Sequence, residues 1–219
     1  MKIHREGFKM IPLALLVLTT INAIIYFTGI MVLFVPAVTV SSLLAVLVVA
    51  FFREPTIVKS SRSGEILAPA DGTIVVIEPT TEKEYFNDER IQVSIFMSVF
   101  NVHINHVPAD GEIVYYKYHP GKFMAASMPK SSLENERAST VVRTSSGTDI
   151  LLRQIAGMLA RRVITYKKPG EKVTIHDQLG FIRFGSRVDI FLPKGSEIPL
   201  KLNQVVKGGL TVIGRLPEA

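Results

Sequence analysis

This 219-residue sequence predicts a mainly β protein: one barrel- or sandwich-like domain behind an N-terminal hydrophobic helical hairpin. Two observations carry the prediction. From Met10 to Phe52 there is no Asp, Glu, Lys or Arg, a run long enough for two helices of the roughly 20 apolar residues that a membrane span requires. Past Arg53 the chain changes to short runs rich in Val, Ile, Thr, Phe and Tyr, separated by Gly, Pro and Asp. That pattern is the mark of an all-β barrel or sandwich.

Taken in order, the apolar run is expected to break at Gly29 and Pro36, with spans near 10–28 and 37–52. A single long span with an interfacial piece is the alternative. A cleaved signal peptide does not fit, because the run is too long and no small-residue cleavage site precedes a polar start. Lys2, Arg5 and Lys9 flank it on one side and Arg53, Lys59 and Arg62 on the other. The positive-inside rule sends both flanks to the cytoplasm, as a two-helix hairpin in the cell membrane needs. Residues 1–52 therefore read as an anchor and 53–219 as one domain on the cytoplasmic face, long enough to bury its own core.

Within that domain strands are expected at 72–78, 91–97, 112–118, 139–143, 149–155, 179–184, 187–191 and 210–213. Ser132–Ala138 reads as a short helix opened by a serine cap, with acidic residues in its first turn. The formal charge is +6 and there is no cysteine. Disulfides and Cys-ligated metals are thereby excluded. A basic domain tethered to a bilayer is attracted to anionic head groups; the basic residues are scattered and no nucleic-acid-binding motif accompanies them. One tetrapeptide occurs twice, Pro69-Ala70-Asp71-Gly72 and Pro108-Ala109-Asp110-Gly111, each leading into a β run, so two similar strand entries are expected.

The run Leu179-Gly180-Phe181-Ile182-Arg183-Phe184-Gly185-Ser186-Arg187-Val188-Asp189-Ile190-Phe191-Leu192-Pro193 resembles the self-cleavage site of the phosphatidylserine decarboxylases in their short bacterial and archaeal form. Ala68-Pro69-Ala70-Asp71-Gly72 is similar to that family's aspartate motif. Phe96-Met97-Ser98-Val99-Phe100-Asn101-Val102-His103-Ile104-Asn105-His106-Val107-Pro108 is similar to its histidine motif. Gly121 through Arg137 resembles its substrate-side loop and short helix, and Arg153 through Arg162 the strand and turn beneath the site. Phe51-Phe52-Arg53-Glu54-Pro55 is close to its Phe-Phe-Arg-Asp-Pro, with Glu in place of Asp. The likeness runs from about Phe51 to Ile213.

The resemblance implies that the Gly185–Ser186 bond breaks spontaneously and that Ser186 becomes a pyruvoyl cofactor, with no metal. Large (1–185) and small (186–219) chains of one precursor would then stay together and decarboxylate phosphatidylserine to phosphatidylethanolamine; a homo-oligomer is compatible with this. It implies His103 as base for cleavage and as proton donor after decarboxylation, His106 as runner-up, and Asp71 as orienter of the imidazole. Arg137, Arg153, Arg161 and Arg162 are candidates for a lipid phosphate or carboxylate, since guanidinium binds both. A metal at His103-x-x-His106 lacks a Cys or clear carboxylate to complete it. His4, His119 and His176 read as structural or solvated.

Three rivals stand beside this reading. The ether-lipid variant, archaetidylserine decarboxylase, shares the chemistry and would be told apart by lipid analysis. A membrane-anchored carrier or adaptor is suggested because Lys168–Val173 followed by Leu179–Ile182 resembles the hairpins of biotinyl and lipoyl domains. That likeness relates the fold to the barrel-sandwich hybrids, although the cofactor-bearing lysine at the hairpin tip is absent. A structural membrane protein without chemistry is the third. An intact chain on a denaturing gel would favour the last two.

Overall fold

The computed structural model describes residues 2–58, 60, 64–124, 131–158, 162–183 and 186–217. Gly185 and Arg161, with Lys59 and Arg62 of the basic flank, lie outside them. The chain forms two compact units, Met1–Thr56 and Ile57–Ala219.

The first unit is a helical hairpin closed at its base. β1 (Lys2–Ile3) leads into α1 (Gly7–Phe27), and α2 (Met31–Phe51) runs out into β2 (Arg53–Glu54). β1 and β2 pair antiparallel, Lys2 opposite Glu54 and Ile3 opposite Arg53, so the chain enters and leaves at the same end. Gly7 permits the tight closure: a Cβ there would lie 2.7 Å from that of Phe52. Both helices are long and apolar enough to cross a membrane, and large apolar side chains such as Leu16, Val32 and Val46 are exposed along them, which suits a lipid surround. Only Gly29, at φ +73°, makes the break. Pro36, expected to share it, is the sixth residue of α2, as Pro12 is of α1. Each forfeits one hydrogen bond near a helix start, a loss that apolar spans tolerate.

In the second unit the strands are β3 (Glu65–Leu67), β4 (Gly72–Glu82), β5 (Asp88–Met97), β6 (Ile104–His106), β7 (Gly111–His119), β8 (Arg137–Thr144), β9 (Asp149–Ala156), β10 (Val163–Thr165), β11 (Lys172–Val173), β12 (Gln178–Ile182), β13 (Ser186–Pro193), β14 (Val205–Val206) and β15 (Val212–Arg215), with a one-turn helix α3 (Ser131–Glu134) before β8. A curled eight-stranded antiparallel sheet runs β11-β7-β8-β9-β13-β5-β4-β14, and β10-β12-β6 and β15-β3 form two small sheets. Alternation along each strand sends Ile74, Val93, Ile95, Leu152, Val188 and Ile190 into one fully buried core, as period-2 side-chain geometry dictates. The fold is thus mainly β, as expected from the sequence.

The repeated tetrapeptide marks an internal duplication of structure. Gly72 opens β4 and Gly111 opens β7, and a Cβ at either would collide with a carbonyl oxygen of the neighbouring strand, that of Phe96 or of Arg143. Both strands carry a bulge two residues on, between Ile74 and Val76 and between Ile113 and Tyr115. Each accepts a short late strand, β14 on β4 and β11 on β7. β15 on β3 and β12 on β6 repeat one shifted register, with Gly214 and Gly180 after the shift. The copies clasp each other: Leu67 N–H donates to Pro108 O (2.9 Å) and His106 N–H to Pro69 O (2.7 Å).

Two local expectations are corrected. The helix expected over 132–138 ends at Glu134, because Glu136 N–H bonds Lys122 O and Glu136 O receives the Ala156 N–H; Arg137 is already strand. The segments that resemble a carrier hairpin do not pair with each other: β11 lies on β7, and β12 lies between β10 and β6.

Candidate functional site

Ser186 opens β13 between two strands, opposite Met97 of β5 on one side and Ala156 of β9 on the other. It is fully buried, with Oγ 3.2 Å from Met97 Sδ. A polar chain approaches behind that sulfur. Asn105 Nδ2 lies 3.8 Å from Met97 Sδ, Gln154 Nε2 donates to Asn105 Oδ1 (2.7 Å), and Thr165 Oγ1 donates to Gln154 Oε1 (2.8 Å). A thioether sulfur is a weak, uncharged acceptor.

Both histidines sit at the start and end of the β6 segment. His103 O accepts the Ile182 N–H (3.3 Å), tying the histidine to the end of the strand that precedes Ser186. His103 is fully buried, and its Nδ1 lies 3.0 Å from Asn101 O. A carbonyl oxygen can only accept, so Nδ1 carries a proton and donates this bond. Asn101 is itself held, its Oδ1 accepting from Ser98 N and Ser98 Oγ at 2.8 Å each.

Asp71 lies beside the other histidine. Its Oδ1 accepts the Gly208 N–H (2.9 Å) and its Oδ2 pairs with Lys207 Nζ (3.0 Å). Gly208 packs on the His106 ring so closely that a Cβ would meet His106 Cδ2 at 2.9 Å. The structure therefore groups Asp71, Lys207, Gly208 and His106, and orients His103 through Asn101. The sister residue Asp110 makes the equivalent bond to Ile175 N (2.7 Å). By the duplication His106 corresponds to Leu67. His103 corresponds to Gly64, whose carbonyl accepts from Leu216 as that of His103 does from Ile182. Neither Leu67 nor Gly64 has a side chain that can carry a proton, so proton transfer from these two positions is confined to one copy.

The arginines lie elsewhere. Alternation puts Arg187, Asp189 and Phe191 on the sheet face opposite Ser186, and Arg153, across from Asp189, shares that face. Arg153 is buried, bridges Glu82 (2.9 Å) and Glu84 (3.0 Å), and stacks over Phe191. A substrate anion would have to displace one of those carboxylates. Burial alone pushes the Glu84 carboxyl up, but hydrogen bonds from His119 and Ser139 and the charge of Arg153 hold it below the usual carboxylate value. His119, read as structural, is the partner of Glu84 at 2.7 Å. Arg187 pairs with Asp189, which also accepts from Ser132 Oγ (2.6 Å).

Arg137 donates to Leu133 O, and its Nε is buried with no hydrogen-bond partner. Desolvation and the neighbouring Arg153 lower its pKa against the pull of Glu84. It lines a cleft of about 830 Å³ shared with His119, Arg153 and Arg187. Arg162 is exposed, and Arg161 falls outside the described residues. Among the described residues no three His, Asp or Glu side chains converge as a metal site. Asn101, Met97, Lys207 and Gly208 were not picked out from the sequence; of these, only Asn101 and Met97 lie in the histidine motif.

A family model described as phosphatidylserine decarboxylase matches residues 44–214. The chain is 46% identical to a phosphatidylserine decarboxylase proenzyme of Parabacteroides distasonis, over 100% of both chains. It is 46% identical to one of Cytophaga hutchinsonii over 97% of this chain and 98% of the relative. A proenzyme of the same description from Porphyromonas gingivalis is 41% identical over 100% of both.

Proposed function

The chain belongs to the phosphatidylserine decarboxylase family, and from that premise we propose that it decarboxylates phosphatidylserine to phosphatidylethanolamine and carbon dioxide after cutting its own backbone between Gly185 and Ser186. The observation that supports the reading best is the setting of Ser186: buried, at a strand start, paired on both sides, with Met97 Sδ 3.2 Å from its oxygen. Such a dry place suits a small uncharged ketone as well as it suits a hydroxyl.

Ser186 Oγ attacks the Gly185 carbonyl carbon, exchanging amide for ester, while His103 Nε2 takes the hydroxyl proton. Loss of the residue-186 Cα proton expels the Gly185 carboxylate and leaves a dehydroalanine. Its tautomer takes up water and releases ammonia. The pyruvoyl group so formed supplies an electron sink for the carbon dioxide-releasing step. His103 then returns a proton to the substrate carbon. Asp71 holds Lys207 and Gly208 against His106, which keeps the second imidazole in place and makes it the runner-up for the cleavage step. Arg137, with a buried Nε lacking a partner, and Arg161 are the proposed ligands for the anionic head group, and Arg153 is held by Glu82 and Glu84. The domain is proposed to work on the cytoplasmic face, supported by Lys2, Arg5 and Arg53 at the shared base of the hairpin.

The test is a denaturing gel with mass spectrometry. Two fragments, 1–185 and 186–219, are expected, the smaller lighter than its unmodified peptide by one ammonia and resistant to Edman degradation. Protein that decarboxylates phosphatidylserine as one uncut chain would overturn the proposal.

A further inference from the structure

The two ends of the eight-stranded sheet differ in the side chains they expose. At the Ser186 end, Phe100 follows β5 by three residues and is 71% exposed, and Met158, two residues past β9, is 65% exposed. Phe123 is 41% exposed, whereas Leu133, 67% exposed, lines the cleft over the opposite sheet face. Their neighbours Asn135 and Met124 are bonded to each other, and Asn135 is bonded to Ala156, the partner of Ser186. Exposed Arg162 stands at the same end, its carbonyl receiving the Arg183 N–H. At the far end, the described turns 83–87, 145–148 and 194–196 show no large exposed apolar side chain.

Large exposed apolar side chains interspersed with arginine are the composition of a surface that settles into a bilayer interface, apolar groups toward the acyl boundary and cations among anionic head groups. Scattered single apolar residues need no explanation, but Phe100 and Met158, just past β5 and β9, the two strands that flank Ser186, do. We infer that the Ser186 end of the catalytic unit is itself a docking rim for an anionic phospholipid surface, with Phe100, Met158 and Phe123 as its apolar contacts. The inference rests on the reading of Ser186 as the reacting residue. It accounts for how a substrate whose acyl chains stay in the bilayer meets a buried group: the rim lowers the mouth of the site to head-group depth.

The chain has no tryptophan, so a single introduced indole reports on its own surroundings. Full-length protein carrying Phe100→Trp, Met158→Trp or, at the far end, Lys194→Trp is placed in nanodiscs of phosphatidylserine and phosphatidylcholine with brominated acyl chains. The rim predicts emission shifted to shorter wavelength and quenched by bromine for the first two variants, with Lys194→Trp water-like and unquenched. Equal quenching at all three positions overturns it. So does a shift that bromine does not quench and that disappears when each disc holds one copy, because the rim would then be a contact between two copies of this chain. In a second arm, Phe100→Ser/Met158→Ser lowers turnover of bilayer-embedded phosphatidylserine by roughly tenfold more than turnover of a dispersed short-chain form; equal losses count against the rim. Wild-type protein that neither cuts itself nor decarboxylates would sink the functional reading alone, and the fluorescence would still decide the docking.

Discussion

At the scale of single residues the chain separates two tasks that the sequence motifs run together. His103 is oriented by a backbone carbonyl, and the carboxylate of Asp71 is spent on Lys207 and Gly208 beside His106. His103→Ala is therefore expected to slow self-cleavage by roughly 10²-fold or more, the usual worth of a positioned base, and His106→Ala to be milder; fragment formation over time on gels measures both. Rapid cleavage in His103→Ala with none in His106→Ala would reverse the assignment. Asp71→Asn keeps an oxygen for the Gly208 N–H but loses the charge facing Lys207, so cleavage should slow without unfolding. Asp110→Asn makes the same change at the sister position, where the carboxylate accepts the Ile175 N–H and not the Gly208 N–H beside His106, and cleavage should proceed at close to the wild-type rate. Ser186→Ala should remain full length, since it has no oxygen to form the ester.

Strands and their packing carry the next set of consequences. Glu84 sits under β8 and β9 among Arg153, His119 and Ser139, and its carboxyl is held below the usual glutamate range. A group with a depressed folded-state pKa contributes stability that is present above its unfolded value and lost as pH falls through its folded one. The thermal midpoint should thus drop below about pH 4.5, and Glu84→Gln should lower it at neutral pH while flattening the acid limb. A loss of equal slope in the variant would remove Glu84 from the account. Gly72 and Gly111 open the two sister strands against carbonyl oxygens. Alanine at either is expected to cost about 1–3 kcal/mol or more by overpacking, read as a shift in denaturant midpoint.

For the whole molecule the decisive fact is how the last 34 residues, 186–219, are woven in. β13 lies between β5 and β9, β14 on β4, and β15 on β3, and all four partners belong to the large fragment. After cleavage the two fragments should co-elute under native conditions and part only in denaturant. Removing residues 1–56, the separate first unit, should give a largely soluble protein that still cuts itself, because every proposed catalytic residue lies in the second. Its activity should fall more on vesicles than on a short-chain soluble substrate. Loss of self-cleavage in that truncation would show that the hairpin does more than tether.

The sequence by itself determined what local chemistry can carry. The charge-free run from Met10 to Phe52 foretells a hairpin, alternation foretells the long strands, and the Gly185-Ser186 run with its aspartate and histidine motifs points to the family. Local pattern failed where distant partners decide. The helix expected through Ala138 ends at Glu134 because Lys122 and Ala156 claim the backbone of Glu136, and the supposed carrier hairpin opens because β7 and β6 bind its two arms. The repeated Pro-Ala-Asp-Gly was visible as four letters. That it marks two interlocked copies, with histidines in one and Leu67 and Gly64 in the other, is a fact of hydrogen bonds between segments far apart in the chain. Tertiary structure alone decided that Arg153 is bound to Glu82 and Glu84 on the face opposite Ser186, since a side chain's partners depend on which strands become neighbours. The same cause seats Lys207 beside Asp71, 136 residues away along the chain.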